Sequence, residues 1–251
     1  MIKNVIFDIG NVLVDFSWRE MYEEKGLVGD VFERVAGATV QGPYWCELDR
    51  GIMSFHEVVE KFVSLDEEMG DEIRKVLYDT HGIVRGRGYA VPWICQLKKL
   101  GLKVYVLSNF SEKILKDCRD AMEFLEYTDG GILSYKEHVI KPDPEIYKLL
   151  LERYGLNAKE CVFIDDLKEN VKAADAQGIQ GIVFENFEQA KEEKKAEIVE
   201  ITGVKEGETL FFICDEKKND TEKKAGHIRS WLGAKEQLDL ISDDAFEFCF
   251  I

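Results

Sequence analysis

A chain of 251 residues that is 45% hydrophobic, with 33 Lys+Arg against 49 Asp+Glu and a net charge of −16, is sized for one or two globular domains and is too apolar to be disordered. No stretch approaches the roughly 18 consecutive apolar residues of a membrane span. The acidic balance disfavours nucleic-acid backbones, whose phosphates need Lys and Arg, but leaves room for a small anion in a locally positive pocket. The first residues enter a strand-like run with no signal-peptide pattern. The six cysteines (Cys46, Cys95, Cys118, Cys161, Cys214 and Cys249) show no C-x-x-C spacing. The expectation is therefore a cytoplasmic protein with reduced thiols.

In chain order, Val5-Ile6-Phe7 is a short apolar run that stops at Asp8, followed by Gly10 and Asn11. Residues 17–85 show no convincing strand. There Ser54 and Glu57 form a capping box opening a helix, with Phe55, Val58, Val59, Phe62 and Val63 on one face. The segment 82–88 (GIVRGRG) is a plausible hinge. Next comes a helix at 93–100 closed by Gly101, then the run Val104 to Leu107 stopping at Ser108-Asn109. Asp143-Pro144 caps a helix that reaches Gly155, and Cys161 to Ile164 stops at Asp165-Asp166. A helix at 168–177 precedes a last apolar run, Ile179 to Phe184. Runs apolar on both sides of the pleat, alternating with helices, predict an α/β fold around a buried parallel sheet, with a helical insertion after the first strand. The predicted organisation is a core of 1–16 and 86–191, an insertion of 17–85 and an extension of 192–251. In that extension, strands are expected at 198–204, 209–214 and 245–251, and a helix at 227–240.

In an open α/β sheet, ligands bind beyond the carboxyl ends of the strands. Asp8, Ser108-Asn109 and Asp165-Asp166 all stand at such ends, so they converge on one edge. Lys141 lies in the loop before the proline-started helix. Clustered carboxylates need a cation, and hard oxygen ligands favour Mg²⁺. A carboxylate can also act as nucleophile, with a hydroxyl and a Lys holding the transferring oxygens. The set suits phosphoryl transfer.

The segments FDIGNVL at 7–13, VLSN at 106–109, Lys141-Pro142 and FIDD at 163–166 resemble the four ordered motifs of the haloacid dehalogenase superfamily. The FDIGNV form, the helical insertion and the stretch ELDRGIMS at 47–54 look most like its helical-cap branch that includes the bacterial α-D-glucose-1-phosphate phosphatases. The resemblance implies a Rossmann-like core, a helical cap and Mg²⁺-dependent hydrolysis of a small-molecule phosphate. It makes Asp8 the nucleophile, Ser108 and Asn109 phosphate contacts, and Lys141 the stabilising cation. Asp8, Asp166, the carbonyl of Gly10 and Asp165 would hold the metal, Asp165 directly or through water. Trp45, Glu47 and Arg50, just before the capped helix, are candidates for substrate contacts.

One position departs from the pattern. Phosphatases of this superfamily usually place Asp two residues after the nucleophile as general acid, and here that residue is Gly10. Substrates with less basic leaving groups, such as a sugar 1-phosphate, would suffer least. Asp15, Glu47 and His56 are candidates to replace the acid from hinge or insertion. Gly10 also motivates a rival reading as a non-catalytic binding protein. A dehalogenase, which needs no Mg²⁺, would not call for the acid pair Asp165-Asp166.

Overall fold

Strand β1 (Asn4–Phe7) is buried along its whole length, and its alternating side chains go to two different layers. Val5 and Phe7 join the layer under helix α6 (Ala90–Lys99), where Trp93 meets Phe7 edge-on at 4.6 Å. Ile6 joins the opposite layer with Ile146, Tyr147 and Leu150 of α9 (Pro144–Tyr154) and Ala174 of α10 (Lys168–Ala176). A strand apolar on both faces therefore becomes the middle of a sheet with helices on each side.

The computed structural model describes residues 2–190, and the strands and helix expected beyond residue 191 lie outside them. Strand β1 pairs in parallel with β4 (Lys103–Ser108) on one side and β6 (Cys161–Asp165) on the other. Strands β5 (Gly130–Leu133) and β7 (Gln180–Val183) complete the order β5-β4-β1-β6-β7, all parallel. This is the predicted Rossmann-like α/β arrangement. Asp143 accepts from Glu145 N at 2.9 Å ahead of Pro144, and Gly155 closes α9 in the left-handed conformation. Helix α6 begins three residues earlier than the expected 93, with Pro92 in its first turn, where no intrahelical N–H is missed.

Strand β5 has no apolar alternation in its first half, because Gly130 and Gly131 open it. Tyr154 of α9 explains the first glycine and Val106 of β4 the second. Its hydroxyl accepts from Gly131 N at 2.8 Å and donates to Gly131 O at 3.0 Å, with its ring across the strand. A Cβ on Gly130 would stand 2.6 Å from that ring, and one on Gly131 would stand 2.3 Å from Val106 Cγ2 and 2.5 Å from Val106 O. Gly131→Ala is expected to destabilise by about 1–3 kcal/mol, because rigid backbone on β4 must yield. A lowered urea midpoint with an unchanged slope would show it.

Between β2 (Val14–Phe16) and β3 (Val84–Gly86) run five α-helices: α1 (Trp18–Glu24), α2 (Gly29–Ala38), α3 (Trp45–Arg50), α4 (Phe55–Val63) and α5 (Gly70–Tyr78). Both halves of the Ser54/Glu57 capping box are present at α4, and Val58, Val59 and Phe62 are buried as the periodicity predicted. Residues 17–85 were expected to hold no strand, yet β3 begins at Val84 and pairs antiparallel with β2. Three residues with one buried side chain are too short for a period-2 signal, and the partner is distant in sequence. Arg87 reinforces the closure, donating to Asp15 at 2.6 Å and to Asn11 O at 2.7 Å. No helix among the described residues is long and apolar enough to cross a membrane.

Candidate active site

Parallel pairing fixes what the site contains. Asp8 directly follows β1 and donates its N–H to Ile164 O at 2.8 Å, Ser108 ends β4, and Asp165 ends β6. Lys141 comes from the loop before α9. Asn109 clamps its backbone, donating from Nδ2 to Lys141 O at 2.9 Å and accepting from Lys141 N at Oδ1 at 2.7 Å. The buried ammonium then donates to Asp8 Oδ1 at 2.7 Å and to Asp165 Oδ2 at 2.6 Å, with the Phe163 ring 5.3 Å away. The four predicted elements are thus brought together on one sheet edge. The amide of Asn109 is thereby bonded to the Lys141 backbone.

Asp165 is saturated by protein. Besides Lys141 it accepts from Leu167 N at 2.8 Å and from Asn170 Nδ2 at 3.1 Å. Asp166 is half-buried and accepts from Asn11 Nδ2 at 3.1 Å. Carboxylate oxygens of Asp8, Asp165 and Asp166 all lie within 4.8 Å of one another. Burial pushes the Asp8 carboxyl up to about 6, with Lys141 pulling down and Asp165 pushing up. Burial raises Asp166 as well, against the amide of Asn11. Lys141 is raised too: burial works against its charge, but Asp8 and Asp165 prevail. Three carboxylates thus cluster around one ammonium, an excess of negative charge with hard oxygen donors, which suits a divalent cation.

Gly10 is not in the left-handed region, and a Cβ there would meet nothing closer than Asp8 Oδ2 at 4.0 Å. The position has room for a side chain that the sequence does not supply. The residues expected to compensate are engaged elsewhere. Asp15 pairs with Arg87, Glu47 with Arg50 at 3.5 Å, and exposed His56 with the Tyr78 hydroxyl at 3.1 Å. Trp45 packs between Phe16 and Phe62 at 5.8 and 6.3 Å.

The residue that sequence reasoning missed is Asp49. Burial raises its carboxyl to about 7, the charge of Asp8 adding to the shift and Lys141 opposing it. Helix α3 delivers it by docking on α8 (Ser134–Glu137), where Ser134 Oγ donates to Asp49 O at 2.6 Å. A signal was present: Asp49 stands one helical turn after Trp45, on the same face.

A family model for haloacid dehalogenase-like hydrolases matches residues 2–178. Similar proteins include a sesquiterpene phosphatase of Aspergillus oryzae, 28% identical over 72% of this chain and 88% of its own. A D-ribitol-5-phosphate phosphatase of Bacteroides thetaiotaomicron is 25% identical over 74% of this chain and 93% of its own. Among solved structures, a HAD-family enzyme of Bacteroides thetaiotaomicron in complex with magnesium and inorganic phosphate has a TM-score of 0.58 at 24% identity, covering 76% of this chain and 99% of its own. That last likeness speaks to the fold alone. With residues 2–178 matched, strand-end acids and loop lysine included, the chain belongs to the haloacid dehalogenase-like hydrolase family.

Proposed function

We propose that this hydrolase is a Mg²⁺-dependent phosphatase of small-molecule phosphate monoesters, with sugar phosphates as the substrate class and Asp8 as the nucleophile. The observation that carries the reading is Lys141 Nζ bridging Asp8 and Asp165 at the sheet edge, with Asp166 beside them. A binding protein has no need of that complete cluster, and a dehalogenase has no need of Asp166 next to it. The phosphatase names of the relatives support the same reaction, and the ribitol phosphate enzyme among them supports a phosphorylated polyol or sugar.

Asp8, Asp166 and the Gly10 carbonyl would hold magnesium, since Asp165 already has Lys141, Leu167 N–H and Asn170 as partners. When bound, the ion neutralises the surplus carboxylate charge and polarises the phosphoryl oxygens. Asp8 attacks phosphorus and forms an aspartyl-phosphate, which water hydrolyses. Lys141 and the Ser108 hydroxyl hold phosphoryl oxygens as charge redistributes. Asn109 fixes the loop that presents Lys141.

Phosphate release from sugar phosphates, nucleotides and simple esters, measured with Mg²⁺ and with EDTA, tests this. Turnover should fall at least about 100-fold in EDTA and return with added Mg²⁺. Sugar phosphates should be turned over faster than nucleotides and simple esters. Activity indifferent to EDTA, or turnover confined to haloacids, would overturn the proposal.

A further inference from the structure

Ester cleavage at Asp8 leaves an alkoxide that needs a proton, and the usual donor position is Gly10. Asp15, Glu47 and His56 are committed to Arg87, Arg50 and Tyr78. The carboxylate of Asp49 has no hydrogen-bond or ion-pair partner among the described residues, and Asp8 and Lys141 are the charged groups acting on it. Asp49 is also fastened to the core. Ser134 Oγ donates to Asp49 O and accepts from Phe110 N at 2.9 Å, two residues beyond Ser108. Next to it, His138 Nδ1 meets Arg50 O at 3.1 Å. Gly51 closes α3 in the left-handed conformation, so near α8 that a Cβ would stand 2.6 Å from Tyr135 O. Three consecutive residues of α3 and its cap are therefore fixed against α8 and His138, which follow β5, and Ser134 ties them to the loop after Ser108. An acid without a hydrogen-bond partner is thereby held within electrostatic reach of the nucleophile.

We propose that Asp49, supplied by the helical insertion, is the proton carrier of this active site and takes the place of the acid missing at Gly10. The assignment rests on the phosphatase reading of Asp8. In the first step an Asp8 oxygen bonds to phosphorus and the P–O ester bond breaks. The leaving oxygen keeps the bond pair and takes the proton of the Asp49 carboxyl, giving the free alcohol. In the second step the Asp49 carboxylate takes a proton from water as that oxygen bonds to phosphorus. The P–O bond to Asp8 then breaks, returning Asp8 as carboxylate, Asp49 as acid, and inorganic phosphate.

Leaving-group dependence separates proton donation from binding or folding. Substrates would be phenyl phosphates graded by ring substituent, plus benzyl phosphate, none bearing a sugar hydroxyl for Asp49 to contact. In Asp49→Asn, kcat/KM for benzyl phosphate should fall about 10²–10⁴-fold, while p-nitrophenyl phosphate should change less than about tenfold. The slope of log kcat/KM against leaving-group pKa should steepen accordingly. Adding Gly10→Asp to Asp49→Asn, into the open space beside Asp8, should restore benzyl phosphate turnover at least about tenfold. Asp49→Ser, which also lacks a donor of suitable acidity, should behave like Asp49→Asn.

An equal loss across the series, or an unchanged slope, would overturn the assignment and make Asp49 a structural or binding residue. Asp8-dependent hydrolysis of p-nitrophenyl phosphate by the unaltered protein checks the underlying reading independently. If that hydrolysis is missing, the reading of Asp8 falls and the assignment with it.

Discussion

Asp8→Asn is expected to lower kcat by about four orders of magnitude or more while leaving the protein folded. The amide matches the carboxylate in shape, so the backbone bond from Asp8 N to Ile164 O and the pairing of β1 are untouched. What disappears is the anionic oxygen that bonds to phosphorus. The stability consequence has a definite sign. Burial holds the Asp8 carboxyl at about 6, so its charged form at neutral pH is disfavoured by the fold. A group whose folded pKa is raised contributes stability below its unfolded pKa of about 3.9 and loses it as pH rises through the folded value. A neutral amide escapes that loss, although Lys141 keeps only Asp165 as partner. The thermal midpoint at neutral pH should therefore match or exceed that of the unaltered protein. Residual turnover above about 1% would remove Asp8 from the nucleophile role.

The convergence of Asp8, Ser108, Lys141 and Asp165 was legible because it follows from topology. Val5-Ile6-Phe7, the run ending at Leu107 and the run ending at Ile164 are apolar on both faces, which forces a parallel sheet, and parallel strands end on one edge. The Ser54/Glu57 box and the Asp143-Pro144 start were legible because capping is local chemistry. Contacts between segments distant in sequence were not. Gly130-Gly131 carries no strand pattern, since its glycines answer to the Tyr154 ring and to Val106 on other elements. The two bonds from the amide of Asn109 to the Lys141 backbone are of the same kind. Asp49 lies in Glu47-Leu48-Asp49-Arg50, where the sequence reading singled out Glu47 and Arg50 as substrate contacts and passed over the acid between them. Only the docking of α3 on α8, a contact between segments distant in sequence, ties it to the site.

Lys141→Met should cause the largest loss of stability among the site variants, about 3–5 kcal/mol, together with loss of turnover. Methionine fills much the same volume, so packing against Phe163 is largely kept and the effect isolates the charge. Asp8 and Asp165 are left buried side by side without the ammonium that bridges them at 2.7 and 2.6 Å. Two results would separate this electrostatic account from a packing defect. First, Lys141→Met should recover stability as pH falls. Removing the cation raises the Asp8 carboxyl further above its unfolded value, and a raised acid regains stability as it protonates. Second, Asp165→Asn should be less damaging with Met at 141 than with Lys, because a carboxylate without its partner is the expensive species. That difference is the coupling term of a double-mutant cycle in urea. Additive effects with no pH recovery would mean that Lys141 stabilises by volume, and its bridging of Asp8 would lose its place in the chemistry.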